Sequence, residues 1–212
     1  MRTIYVNRAY LPEKSAQIPV MDRGFLFGDA IYEVTAMIDG RLIDNDLHLA
    51  RLERSLKQLG IAQPCTSDEI REIQHELARR NGMRDGTIYI QISRGTAERN
   101  FTYDNDMEPN FVAFTQPKIL HGTAAQERGI SIDLIADPRW ARRDIKTVQL
   151  LGQALAKQAA QSAGFDDVWM HQDGLITEGA SNTAFIVTDD NVLLTRPNSH
   201  ATLPGCTRRA VE

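Results

Sequence analysis

Two of the three Asp-Gly dipeptides, Asp39-Gly40 and Asp173-Gly174, constrain this chain more than any other feature. Each stands between short runs rich in β-branched and aromatic residues. The first joins residues 30–38, AIYEVTAMI, to RLIDND, and the second joins residues 167–171 to 174–177. Asp-Gly accepts the positive φ angles of a two-residue hairpin turn, so each predicts an antiparallel strand pair. Residues 183–188 and 191–195 predict a further hairpin, and residues 2–6, 87–94, 111–115 and 130–135 read as strands. Helical stretches separate these groups. Residues 46–60 put Leu49, Leu52, Leu56 and Leu59 on one face, with Gly60 closing the helix. Residues 67–80 form a second helix, with Ser67 as the cap and acidic residues in its first turn. Residues 147–163 form a third, with an apolar stripe of Val148, Leu151 and Leu155 and Gly164 at its end. Grouped strands with helices at their sides make an α+β protein in two halves. The linker-like QPKILHGT sets the expected division: an N-terminal domain of residues 1–118, a connection at 119–123, and a C-terminal domain of residues 124–212. The last residues, PGCTRRAVE, begin a helix at Pro204 or Gly205. It holds about two turns, a length that is marginal alone, so the expectation is an incomplete C-terminal domain in a longer intact protein.

The composition supports a sizeable core, with 42% hydrophobic and 25% charged residues. A net charge of −4 and scattered arginines give no electrostatic case for nucleic acid. The two cysteines, Cys65 and Cys206, are far apart and lack metal-type spacing, which points to a reducing compartment, no disulfide framework and no metal. No signal-peptide pattern opens the chain and no apolar run has the length of a membrane span, so a soluble cytoplasmic protein is expected.

Among the five lysines, Lys146 stands apart. Lys14, Lys57, Lys118 and Lys157 fall in polar loops or on polar helix positions, whereas Lys146 follows Ile145 and precedes Thr147 and Val148, where the third helix is expected to begin. Two readings are open from the residues alone. Lys146 is a solvated residue near a helix end, or its amine is kept neutral and nucleophilic by the positive end of the helix dipole. Other residues are similarly double. Glu178, in TEG, reads as a turn carboxylate, Arg51 as a solvated arginine pointing away from the leucine stripe, and Thr207 as a helix cap. The polar loop between residues 94 and 111, GTAERNFTYDNDMEPN, is longer than most connections, and such loops are often functional.

Four segments in order, MDRGFLFGDAIYEV (21–34), HLARLERSL (48–56), DIKTVQLLGQALAKQ (144–158) and LITEGASNTAFIV (175–187), together resemble the class IV, fold-type IV aminotransferases that use pyridoxal phosphate. The first and third look most like D-amino acid aminotransferases, and PGCTR (204–208) fits the next motif of the family. The resemblance implies a small N-terminal α/β domain and a larger pseudo-barrel C-terminal domain. It also implies that Lys146 carries the cofactor as a Schiff base and shuttles a proton, which requires an amine that loses its proton near neutrality against about 10.4 for free lysine. Glu178 would pair with the pyridine nitrogen. Arg51 would bind the phosphate together with the helix opening at Gly205, Cys206 and Thr207. Leu203 would pack on the ring. Tyr32 and Arg99 would bind substrate, with Arg99 delivered by the partner of a homodimer and directed at the α-carboxylate.

The implied reaction moves an amino group between a D-amino acid, such as D-alanine, and a 2-oxo acid. The chain departs from the D-enzyme pattern at Phe101, where those enzymes carry histidine. The alternatives are a branched-chain L-amino acid or (R)-amine aminotransferase, an aminodeoxychorismate lyase, or a cofactor-binding relative without activity. Branched-chain enzymes usually carry a Tyr-aromatic-Arg-Pro sequence on the strand that reads YIQISRG here.

Overall fold

Alternation along the strands decides how the first half packs. In the computed structural model, which describes residues 1–212, the chain divides into two units: Met1–His121 together with Lys146–Val148, and Gly122–Ile145 together with Gln149–Glu212. The first unit contains β1 (Thr3–Val6), β2 (Ala9–Pro12), α1 (Arg23–Phe27), β3 (Ala30–Ile38), β4 (Arg41–Leu42), α2 (Asn45–Leu59), α3 (Ser67–Arg80), β5 (Gly86–Ser93) and β6 (Asn110–Pro117). The strands make one six-stranded sheet in the order β2-β1-β6-β5-β3-β4, with antiparallel neighbours throughout. Asp39-Gly40 forms the β3–β4 turn with both residues at positive φ, as an Asp-Gly hairpin requires.

The period of two puts Ile31, Glu33, Thr35 and Met37 of β3 on the buried face of the sheet, beside Ile88, Ile90 and Ile92 of β5 and Phe111 and Ala113 of β6. Leu49, Leu52 and Leu56 of α2 and Ile70, Ile73 and Leu77 of α3 are buried in the same core. Burial of each such side chain stabilises by about 1.5–3 kcal/mol. Thr35, a polar residue on this face, is satisfied across elements. Its hydroxyl donates to Asn45 Oδ1 at 3.1 Å, and Asn45 Nδ2 donates to Gln74 Oε1 at 2.8 Å. On the other face, Tyr32, Tyr89 and Phe114 stack in a row across three strands, with centroids 5.6 and 4.7 Å apart. The cap of α3 is Thr66 rather than Ser67. Thr66 Oγ1 accepts from the Glu69 amide while the Glu69 carboxylate accepts from the Thr66 amide, a reciprocal arrangement that Ser67 is one residue too late to make.

The second unit holds α4 (Ala124–Arg128), β7 (Ile132–Ala136), α5 (Leu151–Ser162), β8 (Asp167–Gln172), β9 (Leu175–Gly179), β10 (Ile186–Val187), β11 (Leu193–Leu194) and α6 (Cys206–Val211). Strands β7 and β8 are parallel, so a long crossover containing α5 must join them, and β9 returns antiparallel over Asp173-Gly174. The expected hairpin near residues 183–195 is present with two-residue strands.

Two expectations about α5 fail. It begins at Leu151, not at residue 147, and its leucines are not its buried stripe. Leu151 and Leu155 are exposed, while Ala156 and Ala160 pack on Val168, Met170 and Ala180. Alanine has no side chain beyond Cβ, so this face lets helix and strands approach closely. The segment before α5 is extended instead of helical. Tyr32 N–H donates to the Lys146 carbonyl at 3.0 Å and Val148 N–H to the Ala30 carbonyl at 3.1 Å, so Lys146–Val148 pairs antiparallel with β3. The β-branched Thr147 and Val148 favour that conformation over helix. No helix is long and apolar enough to cross a membrane.

Candidate active site

Lys146 owes its position to this pairing. Its backbone is bonded to Tyr32, and its Nζ lies 4.1 Å from the centre of the Tyr32 ring. The lysine is half-buried and makes no ion pair, so its amine faces an aromatic surface instead of a carboxylate. The structure thus brings Lys146 and Tyr32 together. The helix-dipole reading of Lys146 does not hold, because α5 starts five residues further on. Tyr89, next in the aromatic row, is pushed up to about 12 by burial and the neighbouring Tyr32, so it keeps its proton at neutral pH.

Arg51 is not the solvated arginine its composition implies. It is buried, and its Nε and Nη2 donate to the two oxygens of Glu33, each at 2.7 Å. His48, one turn earlier on α2, places Nδ1 2.8 Å from the same carboxylate. Burial alone would raise the Glu33 carboxyl, but the hydrogen bonds from Arg51 and His48 outweigh it and hold the group below its ordinary value. The positive charge of Lys146 acts in the same direction. Sequence reading missed Glu33 and His48. The signal available was a carboxylate at a core-facing position of β3, which demands a partner.

Arg99 stands in the loop between β5 and β6. It is exposed, and its guanidinium lies 5.6 and 5.9 Å from the ring centres of Phe27 and Phe101. Phe101 itself is 78% exposed, so the aromatic residue that replaces the expected histidine presents its ring outward.

In the second unit Glu178 is the last residue but one of β9 and is buried. Arg139 Nη1 donates to Glu178 Oε1, and the Leu203 amide donates to Oε2 at 3.0 Å. Arg139 is held in turn by Asp137, which also accepts from Thr177 Oγ1 at 2.7 Å. Burial pushes the Glu178 carboxyl above its ordinary value, and Arg139 and the Leu203 amide oppose this without cancelling it. Glu178 and Leu203 are therefore neighbours. Cys206 and Thr207 open α6 behind Gly205, with Cys206 buried and Thr207 exposed. Near them the Thr202 hydroxyl is buried without a hydrogen-bond partner, a group that a polar ligand would satisfy. Just before Lys146 in sequence, Asp144 is tied to Arg142 and to His200 Nδ1 at 3.0 Å. These partners outweigh burial and hold it at about 2.

Each unit by itself carries groups of the kind pyridoxal phosphate requires: the first an amine outside any ion pair and a buried guanidinium, the second a buried carboxylate with an arginine partner and an unsatisfied buried hydroxyl. Replacing Glu33 by Gln should cost about 3–5 kcal/mol in urea denaturation at neutral pH, because the change leaves Arg51 as a buried charge without its carboxylate. A depressed carboxyl contributes stability above its unfolded value and loses it as pH falls through its folded value. The gap between wild type and Glu33→Gln should therefore narrow under acid conditions. A gap that widens on acidification would contradict the assigned sign.

The sequence model of the amino-transferase class IV family matches residues 30–212. The chain is 35% identical to the D-alanine aminotransferase of Bacillus licheniformis over 208 residues, covering 98% of this chain and 73% of that protein. Among solved structures, the branched-chain amino acid aminotransferase of Escherichia coli superposes with a TM-score of 0.89 at 23% identity, covering 99% of this chain and 72% of that one. A hypothetical aminotransferase from Mycobacterium tuberculosis, solved in its PLP-bound form, superposes with a TM-score of 0.83 at 22% identity, covering 99% of this chain and 76% of that one.

Proposed function

The chain belongs to the class IV aminotransferases, and from that premise we propose that it moves an amino group between a D-amino acid and a 2-oxo acid with pyridoxal phosphate as cofactor. The observation that carries this reading is Lys146, held on β3 with its amine over the Tyr32 ring and outside any ion pair. Pyridoxal phosphate, when bound, supplies an electron-withdrawing ring that stabilises negative charge on the substrate carbon. The remaining roles belong to the chain. Lys146 Nζ attaches the cofactor and takes up and returns the substrate proton. Glu178 holds a negative charge at the pyridine nitrogen, and Arg139 keeps that carboxylate in place. Arg51, its guanidinium plane set by Glu33, binds the phosphate with the Cys206 and Thr207 end of α6, and Leu203 supports the ring.

Tyr32 and Arg99 bind the substrate, and Arg99 serves the neighbouring subunit of a homodimer. The 35% identity to a D-alanine aminotransferase favours D-amino acids over branched-chain L-amino acids. Phe101 removes one donor from the carboxylate side and adds an apolar surface, so α-carboxylate recognition is weak and (R)-amines without a carboxylate are tolerated.

Lys146→Ala should abolish transfer from D-alanine, and Glu178→Gln should slow it strongly while the cofactor stays bound. Mixing Lys146→Ala with Arg99→Ala subunits should restore about a quarter of the activity, as random pairing across a two-fold axis gives. Absence of recovery after confirmed subunit exchange would place Arg99 elsewhere. Phe101→His should lower KM for D-alanine by about one power of ten, the worth of one charge-assisted hydrogen bond, with little change for an amine. Much faster turnover of L-leucine than of any D-amino acid would overturn the substrate assignment.

A further inference from the structure

The first unit buries two arginines that take no part in the site described above. Arg23 and Arg94 are 4% and 5% exposed, and they share one carboxylate, Asp29. Arg23 Nε donates to Asp29 Oδ2 at 2.9 Å, and Arg94 donates to both Asp29 oxygens at 2.8 and 3.1 Å. Arg94 also donates to the carbonyls of Gly60 and Leu59, which fixes it to the end of α2. Arg23 also lies 4.5 Å from the centre of the Phe27 ring in α1, and the other side-chain contacts of the pair reach the loop between β5 and β6. Arg23 Nη1 donates to the Asn100 carbonyl at 2.7 Å and Nη2 reaches the Phe101 carbonyl at 3.5 Å. The Tyr103 ring lies 3.8 Å from the Arg94 guanidinium carbon and 5.0 Å from that of Arg23.

The base of the same loop is closed by one backbone bond and one side chain. The Gly95 carbonyl accepts from the Arg23 amide at 2.9 Å, and Asn110 Nδ2 bridges Asp22 and Thr96. Gly95 sits at φ +118°, and a Cβ there would fall 2.1 Å from the Glu108 carbonyl oxygen, so the two ends of the loop can meet only at glycine. Two buried cations around one carboxylate are costly to keep. The conformation here leaves the Arg99 and Phe101 side chains on the outside of a loop whose backbone is held from within.

We infer that Arg23, Asp29 and Arg94 form a clamp that fixes the 95–109 loop in one conformation, and that Arg23 acts through it as a positioning residue for substrate-carboxylate recognition by Arg99. The second half of this inference rests on the function proposed above. An arginine already placed binds a carboxylate without ordering a long loop first, so loss of the clamp acts on KM for carboxylate substrates and spares substrates that lack the group.

The test uses the full chain loaded with pyridoxal phosphate, as Arg23→Gln and, in parallel, Tyr103→Leu. The second change removes both cation–ring contacts from a half-exposed position without stranding a buried charge, and so remains informative if Arg23→Gln fails to fold. Amide exchange across residues 96–104 should rise roughly tenfold. KM for D-alanine should rise by about the same factor, with kcat and the KM for an (R)-amine within roughly twofold. Unchanged exchange in this loop would overturn the clamp. Faster exchange with KM values that rise equally for both substrates would overturn the positioning role and leave a structural one. If Arg99→Ala itself does not change the preference for the carboxylate, the parent reading and the selectivity consequence fall together, and the exchange measurement still decides the clamp.

Discussion

Two backbone hydrogen bonds, between Tyr32 and Lys146 and between Val148 and Ala30, determine what this chain can do with its one unusual lysine. Strand β4 covers β3 only at Met37 and Ile38, which leaves the other end of that edge open for Lys146–Val148. Once the segment is extended, the period of two fixes the rest. Thr147 turns into the buried side, and Lys146 turns to the opposite side, over the Tyr32 ring. A helical start at the same place would have aimed the amine by a rotation of about 100° per residue, with no partner strand to hold it. The lysine is positioned by sheet geometry, which is stiffer than a fraying helix end.

The two buried carboxylates show how similar partners give opposite results. Glu33 takes both Arg51 and His48, and the sum of their hydrogen bonds overcomes burial. Glu178 shares Arg139 with Asp137 and has only the Leu203 amide besides, so burial wins. Glu33 therefore serves as a fixed anion that orients a guanidinium. Glu178 is a buried carboxylate short of positive charge, and in the proposed function a protonated ring nitrogen would supply it.

Much of this was legible along the chain because it is local. The alternation of AIYEVTAMI and the Asp39-Gly40 turn gave β3 and its hairpin, and the leucine spacing gave α2. What could not be read depends on partners distant in sequence. The buried state of Arg51 follows from Glu33 across the helix–sheet interface, and the extended state of Lys146 follows from an open strand edge. In α5 the leucine period was real but did not identify the buried face, because the close approach to β8 selects Ala156 and Ala160. The motif MDRGFLFGD was recognisable as a resemblance, yet the task of Arg23 within it appears only when Asp29, Arg94 and Asn100 converge on it in space.

The proposed chemistry depends on Lys146, and the chain offers four other lysines as internal controls: Lys14, Lys57, Lys118 and Lys157. The most direct measurement is to incubate the protein with stoichiometric pyridoxal phosphate, reduce with borohydride and map the modified peptide. The expected product carries a pyridoxyl group on Lys146 alone. Modification of any of the other four in its place, or none in a protein shown to bind the cofactor, would contradict it.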